Sequence, residues 1–245
     1  MLLAKLVPVL YPWHNSGLGA QGVADMTYST REIIKSFCIL MVLCGDMVVL
    51  GTVRIDRMLP NFVGFWLQMG LIGLLLGVGT IYFTRYRLFI QGAHGEFDIS
   101  DEFQNLPNSY KVKSNVVLGQ KGDIDFLVIG PTGIWTVEVK SHTGHISSDG
   151  QKLLINGFRF RKDFLKQAWA QAFAVRDRIQ EHLGFQMAVQ PVVVFSNPRA
   201  YMRFGTRPVG GVQVVGRAWL LKLLKEGNGH YLSPETIDKL KTAFV

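Results

Sequence analysis

Residues 122–144 read GDIDFLVIGPTGIWTVEVKSHTG, and the fold is predicted from the pattern of this stretch. Two runs rich in β-branched and aromatic residues flank the sequence GPTG at 130–133, whose glycines and proline favour a tight turn. The pattern predicts two antiparallel strands joined by a short loop, which is a β-hairpin.

The register of this hairpin determines which side chains share a face of the sheet. If Pro131 and Thr132 alone form the loop, Asp125 lies directly opposite Glu138. One face then carries a mixed and largely polar set, namely Asp123, Asp125, Leu127, Ile134, Thr136, Glu138 and Lys140. The other face is wholly apolar and consists of Ile124, Phe126, Val128, Trp135, Val137 and Val139. A three-residue loop with Gly133 in a bulge is the alternative, but it mixes the two faces, so the two-residue loop is preferred.

The mixed face carries a charge arrangement that is unfavourable without a cation. Two carboxylates about 5 Å apart repel by roughly 3 kcal/mol at an effective dielectric constant of about 20. A hard divalent cation reverses the sign of this interaction, because it binds carboxylate oxygens. Lys140 follows Glu138 by two residues and projects from the same face, where it can stabilise charge that develops on a phosphate. The alternative is an exposed hairpin face on which Glu138 and Lys140 are solvated charges.

A wider set of residues gives this hairpin a family resemblance. In chain order, the set consists of Gly95-Glu96 in a predicted helix, Asp125 within IDFLVIGPTG, Glu138-Val139-Lys140, and Gly144. From about residue 92 to residue 197 the chain resembles the NERD (nuclease-related) domain of the PD-(D/E)xK nuclease superfamily. The resemblance implies an α/β restriction-endonuclease-like core, in which helices flank a mixed sheet.

The resemblance also implies roles for individual residues. Its catalytic set is Asp125, Glu138, Lys140, Glu96 and Gln167, of which the three acidic residues hold the metal ion, Mg²⁺ or Mn²⁺. The alternative for Glu96 is an exposed first-turn glutamate stabilised by the helix dipole. The alternative for Gln167 is a surface position on the following helix. The family often has Asn-Pro shortly before this glutamine, whereas this chain has Asp163-Phe164.

Basic residues cluster around the start of the helix that is predicted to follow the hairpin. This basic cluster consists of Arg159, Arg161, Lys162 and Lys166, with Phe158, Phe160 and Trp169 interleaved. Such a cluster beside a metal site can bind the phosphate backbone of a nucleic acid without reading its sequence. The alternative is a solvated loop and helix edge.

The remaining patterns predict the other elements of a mixed α/β domain. The predicted strands are Tyr110–Leu118, Ile124–Ile129, Gly133–Ser141, Val192–Phe195 and Val212–Val215. The predicted helices are a polar one near Gly95–Leu106, a long amphipathic one at about Asp163–Leu183, and two late ones. The last helix begins at Ser233-Pro234, which supply the N-cap and the first helical position.

The N-terminal part contains two apolar runs. Residues 62–83, FVGFWLQMGLIGLLLGVGTIYF, hold no charge over 22 positions and span about 33 Å as a helix, enough for the hydrocarbon core of a bilayer. The earlier run, 37–53, is shorter and contains Asp46, which makes insertion less favourable. Both runs predict transmembrane helices within residues 31–88. The short linker 54–61 predicts that they form an antiparallel transmembrane hairpin.

The charges beside these runs predict their orientation. The outer flanks carry four basic residues and the linker two, which favours both termini in the cytoplasm of a bacterial-type cell, with a multi-pass anchor in its cytoplasmic membrane. Residues 1–30 lack the pattern of a cleavable signal and are predicted to be a poorly structured leader. Gly73 and Gly77 form a GxxxG pattern, which permits packing within the hairpin or a homo-oligomer through this helix face.

The composition suits a chain with a membrane part and an anion-binding part. Hydrophobic residues make up 48% of the chain, yet Lys and Arg number 26 against 18 Asp and Glu. Residues 91–245, the predicted cytoplasmic domain, hold nineteen basic and fourteen acidic residues. Two cysteines, Cys38 and Cys44, lie in one apolar run, and no Cys/His cluster has the spacing of a zinc site.

Together these patterns predict a membrane-anchored, metal-dependent phosphodiesterase that acts on nucleic acid, and on DNA rather than RNA. Its expected partners are the nucleic acid, the lipid bilayer and, through the Gly73/Gly77 face, a second copy of the chain. One alternative is a nucleic-acid-binding or processing factor with little catalytic activity. The other is a membrane scaffold whose domain recruits a partner protein.

Overall fold

The computed structural model describes residues 28–52, 61–118, 123–202, 207–227 and 231–244. The chain forms two compact units, Met1–Ile90 and Gln91–Val245. Its first two helices are α1, Tyr28–Thr52, and α2, Asn61–Phe103. The later elements are, in chain order, β1 Lys111–Val117, β2 Asp123–Gly130, β3 Gly133–Lys140, β4 Gly144–Ser148, β5 Leu153–Ile155, β6 Phe158–Arg159, α3 Phe164–Leu183, β7 Val189–Phe195, β8 Ala200–Met202, β9 Gln213–Gly216, α4 Arg217–Glu226 and α5 Pro234–Thr242.

The N-terminal unit holds the two apolar runs. Helix α2 contains the whole predicted span 62–83, and α1 contains residues 37–52 of the other. Within the described ranges one helix is long and apolar enough to cross a membrane, namely α2 over the stretch Val63–Phe103. Its apolar side chains are largely exposed, and Leu74, for example, is 65% exposed. The structure thus contains one apolar candidate span before the second unit, and the predicted pair of spans gains no support from it.

Three predicted boundaries in this region are wrong. Tyr28–Thr30 begin α1 rather than end the leader, and Asn61 begins α2 rather than ends the linker. The polar helix predicted near Gly95–Leu106 is the last part of α2, because no proline interrupts the chain between Asn61 and Phe103. The rest of the predicted leader and linker, residues 1–27 and 53–60, lies outside the described residues.

The second unit is built on a five-stranded mixed sheet in the order β1-β2-β3-β7-β9. Strands β1, β2 and β3 are antiparallel, whereas β7 and β9 continue the sheet parallel to β3. The sequence of β7, VQPVVVF, is almost entirely buried, as a parallel strand covered on both faces must be.

Helices cover both faces of this sheet. Helix α3 places Ala172, Val175 and Ile179, spaced as one stripe of a helix, against the face that carries Leu127 and Ile134. Helix α4 and the C-terminal part of α2 cover the other face, which carries Phe126, Val128, Trp135 and Val137. The predicted fold class is confirmed, since a mixed sheet flanked by helices is consistent with a restriction-endonuclease-like core. The predicted cap of the last helix is also confirmed, because Thr236 N donates to Ser233 Oγ at 3.2 Å.

The hairpin of β2 and β3 has the predicted register. The pairs run from Gly130 with Gly133 to Phe126 with Val137, so the two-residue loop is confirmed and the three-residue loop is wrong. One face assignment is also wrong, because Ile124 packs in the cluster that contains Leu127 rather than in that of Phe126. The alternation of side chains between the two faces of β2 breaks at Asp125. Phe126 and Ile124 pair with Ser114 and Val116 of β1, but the position between them has no regular pair. The β1 residue at that position, Asn115, has a left-handed backbone with φ of 52°.

A second, four-stranded sheet was not predicted. Its order is β6-β5-β4-β8, and its strands contain two to five residues, too few for a periodic pattern. Strands β5 and β6 form a hairpin whose turn residues, Asn156 and Gly157, have positive φ values of 50° and 83°. This sheet packs its inner face against Phe164, Leu165 and neighbouring residues at the start of α3. It therefore stands beside the end of β3 that carries Glu138 and Lys140.

Candidate functional site

Glu138 lies on β3 with only 3% of its surface exposed. Its Oε1 accepts hydrogen bonds from Lys140 Nζ and, at 2.7 Å, from Gln167 Nε2, while its Oε2 accepts one from Gln171 Nε2. A buried carboxylate is unfavourable unless its oxygens are hydrogen-bonded and its charge is balanced, and these donors do both. The alternative in which Glu138 is a solvated strand residue is therefore wrong.

Helix α3 brings both glutamines to this carboxylate. Gln167 and Gln171 are four residues apart, so they lie one helical turn apart on the same side of α3. Asp163 caps the start of the helix, since its Oδ1 accepts a hydrogen bond from Lys166 N at 3.1 Å. The departure from the Asn-Pro pattern therefore leaves a capped helix that begins just before Gln167. Gln167 is partly buried and contacts Glu138, so the alternative of a surface glutamine is wrong.

Gln171 is a candidate that the sequence patterns missed. The residue is 2% exposed, and its Nε2 also donates to the carbonyl oxygen of Asp123 at 3.0 Å. One amide group thus joins α3 to both strands of the hairpin. Its Oε1 is buried without a hydrogen-bond partner among the described residues, which is uncommon for a buried polar atom. The only signal in the sequence is its spacing of four residues from Gln167.

Asp125 lies on β2 beside Glu138, one step beyond the last regular pair of the hairpin. Its Oδ2 accepts a hydrogen bond from Val139 N at 2.7 Å. Burial raises the pKa of Asp125 well above its usual value, and the negative charges of Glu138 and Glu96 raise it further. The hydrogen bond from Val139 and the charge of Lys140 lower it by less. Asp125 is therefore a carboxylate whose negative charge is only partly compensated.

Glu96 reaches the same region from α2 because a glycine precedes it. A Cβ at Gly95 would lie 2.6 Å from Ser196 Oγ, so a larger residue there would displace the serine that follows β7. Glu96 is partly buried and lies near the end of a long helix, so the alternative of an exposed first-turn residue is wrong. Burial raises the pKa of Glu96, and the charge of Glu138 adds to this effect.

These three carboxylates interact electrostatically. In the described part of the chain no group of three or more His, Cys, Asp or Glu side chains is close enough to hold a metal ion as it stands. The chemistry of the set nevertheless fits a hard divalent cation, because all donors are oxygens and two of the carboxyl groups have pKa values raised by burial and further by neighbouring negative charge. Glu138, Asp125 and Glu96 are therefore the candidate ligands for such a cation.

The rings of Phe164, Phe160 and His142 form an aromatic wall on one side of Lys140. Its Nζ lies 4.7 Å from the ring centre of Phe164, whose ring centre lies 4.7 Å from that of Phe160. His142 packs edge-on against Phe160, with 5.2 Å between ring centres. Partial burial and the charge of Lys140 lower the pKa of His142 below its usual value, so its imidazole is neutral at pH 7. The sequence patterns missed His142, which follows Lys140 by two residues just beyond the strand.

The basic cluster is partly brought together. Arg159, Arg161 and Lys162 are exposed and line one shallow pocket, together with Lys152 and the rings of the aromatic wall. Lys166 is exposed on α3 and is not among the residues that line this pocket. Among the described residues, none of the predicted four forms a salt bridge with an acidic side chain. Four of the nine lining residues are basic and one, Asp163, is acidic, so the pocket is a net cationic surface next to the aromatic wall and Lys140.

Residues 91–196 match the family described as NERD: Nuclease-related domain. Neither the comparison with curated proteins nor that with solved structures gave a match. The second unit thus carries a nuclease-related domain. The matched stretch contains Glu96, Asp125, Glu138, Lys140, Gln167, Gln171 and the whole basic cluster.

Proposed function

We propose that this domain hydrolyses phosphodiester bonds of nucleic acid with the help of Mg²⁺ or Mn²⁺. The observation that carries the proposal is the buried Glu138 carboxylate, hydrogen-bonded to Lys140 and two glutamines and placed beside two carboxylates with raised pKa values. The match of the surrounding residues to a nuclease-related domain supports the same class of reaction.

In this proposal the three acidic residues hold the cation. A divalent cation supplies a Lewis acid for the phosphate and lowers the pKa of a bound water. Glu138 is the central ligand, because Gln167 and Gln171 fix the orientation of its carboxylate. Asp125 and Glu96 contribute the negative charge that attracts the cation, and their pKa values are raised first by burial and then by the nearby negative charge.

Lys140 is the proposed catalytic cation of the protein. Its side chain is 14% exposed and lies between the Glu138 carboxylate and the ring of Phe164. An ammonium group held at this position stabilises negative charge on a phosphate oxygen as the bond to the leaving group breaks. The aromatic wall reduces contact with water on one side of Lys140, which strengthens its electrostatic interactions.

The substrate is proposed to be DNA, bound through its phosphates by Arg159, Arg161, Lys162 and Lys166. Their exposure and the absence of salt bridges from them to acidic side chains within the described residues support contact with a polyanion. No sequence-reading contact follows from such residues, so the proposed binding is insensitive to sequence and weakens as salt rises.

We also propose that the chain is anchored in a membrane, with the domain 91–245 in the cytoplasm of a bacterial-type cell. The apolar and exposed run 62–83 of α2 supports one span, and in this proposal α1 supplies the second span of a multi-pass hairpin. No described atom lies within 4 Å of a Cβ built on Gly73 or Gly77, which leaves room for a second copy of the chain at this helix face.

The proposed activity is tested with the full chain purified in detergent micelles. Plasmid, linear DNA and RNA are incubated with Mg²⁺, Mn²⁺ or a chelator, and the products are separated on gels. We expect metal-dependent cleavage that is lost in Glu138→Gln and kept in the control Glu235→Gln, which changes an exposed residue of α5. Salt-dependent binding without cleavage would indicate a binding or processing factor instead. The absence of both would indicate a membrane scaffold.

A further inference from the structure

The β5–β6 hairpin, residues 153–159, carries a feature that phosphate binding does not explain. Phe158, next to its turn, is 77% exposed. The next ring along the chain, Phe160, is by contrast packed between His142 and Phe164. The hairpin thus presents one bare aromatic ring to solvent directly beside the basic cluster.

The backbone holds this ring in a defined position. Asn156 and Gly157 form a two-residue turn with positive φ at both positions, the geometry that matches the twist of a hairpin. Asn156 also ties the turn to β4, because its Oδ1 accepts from His145 N at 2.9 Å and its own N donates to His145 O at 2.8 Å. Phe158 therefore follows a turn that is hydrogen-bonded to β4 rather than a free loop.

The exposed ring leads continuously into the candidate site. From Phe158 the chain passes two residues to Phe160, whose ring contacts Phe164, which in turn borders Lys140. The whole path is on the order of 15 Å, given about 3.3 Å per extended residue. This corresponds to about four or five stacked nucleotides at roughly 3.4 Å per step. Cations line the same path, since Arg159, Arg161 and Lys162 belong to the adjoining pocket.

We infer that Phe158 is a stacking platform for an unpaired base, and that the substrate of the site is a single strand or a duplex with a single-stranded end. This inference rests on the proposed nuclease function and names its substrate class. An aromatic ring can stack on a base only where the face of that base is free, which the interior of a duplex does not offer. A basic groove combined with an exposed aromatic ring is the combination that binds single strands without sequence preference.

A membrane surface is the competing partner for an exposed ring among cations. It explains the composition of the hairpin tip but not its continuity with Lys140. A single phenylalanine surrounded by Arg159, Arg161 and Lys162 also offers little apolar area for insertion. Unpaired nucleic acid is therefore the occupant that uses both the charge and the position of the surface.

The test measures binding rather than cleavage, with the full chain in detergent micelles and Ca²⁺ in place of Mg²⁺. Fluorescence anisotropy gives the affinity for a labelled 20-nucleotide single strand and for the blunt duplex of the same sequence. We expect the wild type to prefer the single strand. Phe158→Ala is expected to weaken single-strand binding at least about fivefold, to leave duplex binding unchanged and to keep the salt dependence. Phe158→Trp is expected to restore the affinity.

The matched control is Tyr231→Ala, because Tyr231 is 78% exposed and lies far from the hairpin tip. Its neighbour Leu232 donates to Pro131 O at 2.7 Å, which places Tyr231 at the turn end of β3, roughly 20 Å along the strand from Glu138. We expect this variant to bind both oligonucleotides like the wild type. Equal thermal unfolding midpoints of the wild type and the three variants establish that no variant has lost its fold.

The outcomes separate the two proposals. If Phe158→Ala binds the single strand as the wild type does, the stacking inference is wrong, while Mg²⁺-dependent cleavage by the wild type still upholds the nuclease function. If Phe158→Ala instead loses affinity only for anionic lipid vesicles, the hairpin contacts the membrane and the inference is overturned. If the wild type neither binds nor cleaves any nucleic acid, both proposals fail.

Discussion

Replacement of Gln171 by leucine removes one hydrogen bond from the buried carboxylate of Glu138 without changing any charge. In the wild type, Gln171 Nε2 donates both to Glu138 Oε2 and, at 3.0 Å, to the carbonyl oxygen of Asp123. Leucine fills a similar volume and cannot donate, so both acceptors lose a buried partner. The variant therefore measures how much the orientation of Glu138 depends on α3.

The size of the effect follows from the partners that are lost. A hydrogen bond to a charged acceptor contributes about 1.5–3 kcal/mol and one to a neutral acceptor about 0.5–1.5 kcal/mol. Part of this loss is offset, because leucine also removes the buried, unpartnered Oε1 of Gln171. We therefore expect the free energy of unfolding to fall by about 1–3 kcal/mol. Loss of a residue that orients a metal ligand commonly weakens metal binding by about 10- to 100-fold.

The assay compares Gln171→Leu with the wild type and with Gln180→Leu, which changes an exposed glutamine of the same helix. Calorimetric titration with Mn²⁺ gives the metal affinity, and chemical unfolding gives the stability. We expect both quantities to fall in Gln171→Leu and neither to change in Gln180→Leu. Unchanged Mn²⁺ affinity in a folded Gln171→Leu protein would refute the idea that Gln171 positions Glu138 for a cation.

Three further predictions concern the charges around Glu138 and the topology of the membrane part. Lys140→Ala is expected to lower the single-turnover cleavage rate at least about a hundredfold, since an electrostatic donor is lost. The same variant is expected to be less stable, because Glu138 loses its balancing charge. A cleavage rate equal to that of the wild type would contradict the catalytic role of Lys140. The pKa values of Asp125 and Glu96 are raised in the folded state by burial and by neighbouring negative charge. The stability that these groups contribute is therefore complete below their unfolded-state pKa values, near 3.8 and 4.5. This stability is lost as the pH rises through the raised, folded-state pKa values. In metal-free melts from pH 4 to pH 8, Asp125→Asn should therefore gain stability relative to the wild type with rising pH, and a parallel decline of both proteins would argue against this. A cysteine placed in the 54–60 segment, after Cys38 and Cys44 are replaced, should react with an external thiol reagent in intact cells, whereas labelling of a cysteine in 91–245 would contradict the proposed topology.

The hairpin at the centre of the domain could be predicted because its two faces have opposite chemical character. A shift of one residue would have turned Phe126 and Val137 away from the apolar face, so only the register with a two-residue loop keeps that face intact. The direction of Ile124 was not predicted, because the regular alternation of β2 ends next to Asn115 of the neighbouring strand, where the pairing skips a position. Asparagine tolerates a left-handed backbone, but nothing local to β1 announces that it adopts one here.

The four-stranded sheet could not be predicted for a different reason. Its strands are held by pairing across the chain, for example β4 with β8, whose residues are more than fifty positions apart. Strands of two or three residues have no measurable period, and the Asn156-Gly157 turn was the one local signal available. The position of Phe158 beside the basic cluster depends on this sheet and could therefore not be predicted either.

The candidate site was only partly predictable because a polar helix residue has no pattern of its own. Asp125, Glu138 and Lys140 follow from the hairpin register, and Gln167 and Glu96 were proposed from a family resemblance. Gln171 is as polar as any surface residue in sequence, and only its burial against β2 and β3 reveals its contact with Glu138. In the N-terminal part, by contrast, a candidate span could be predicted from composition alone. The structure shows one long, exposed apolar helix there.

The way in which this site departs from stable packing argues that it serves binding. Glu138 is buried and requires Lys140, Gln167 and Gln171 to balance one carboxylate, although an apolar residue at this position would need none of them. The nearby Asp125 adds a further negative charge at a position where burial already disfavours it. Such departures from local rules are expected where function requires them, because a cation that binds only the folded state stabilises that state by mass action. On this reasoning, addition of Mn²⁺ at pH 7.5 should raise the unfolding temperature of the wild type more than that of Asp125→Asn, and an equal rise in both would show that Asp125 is not part of the cation site.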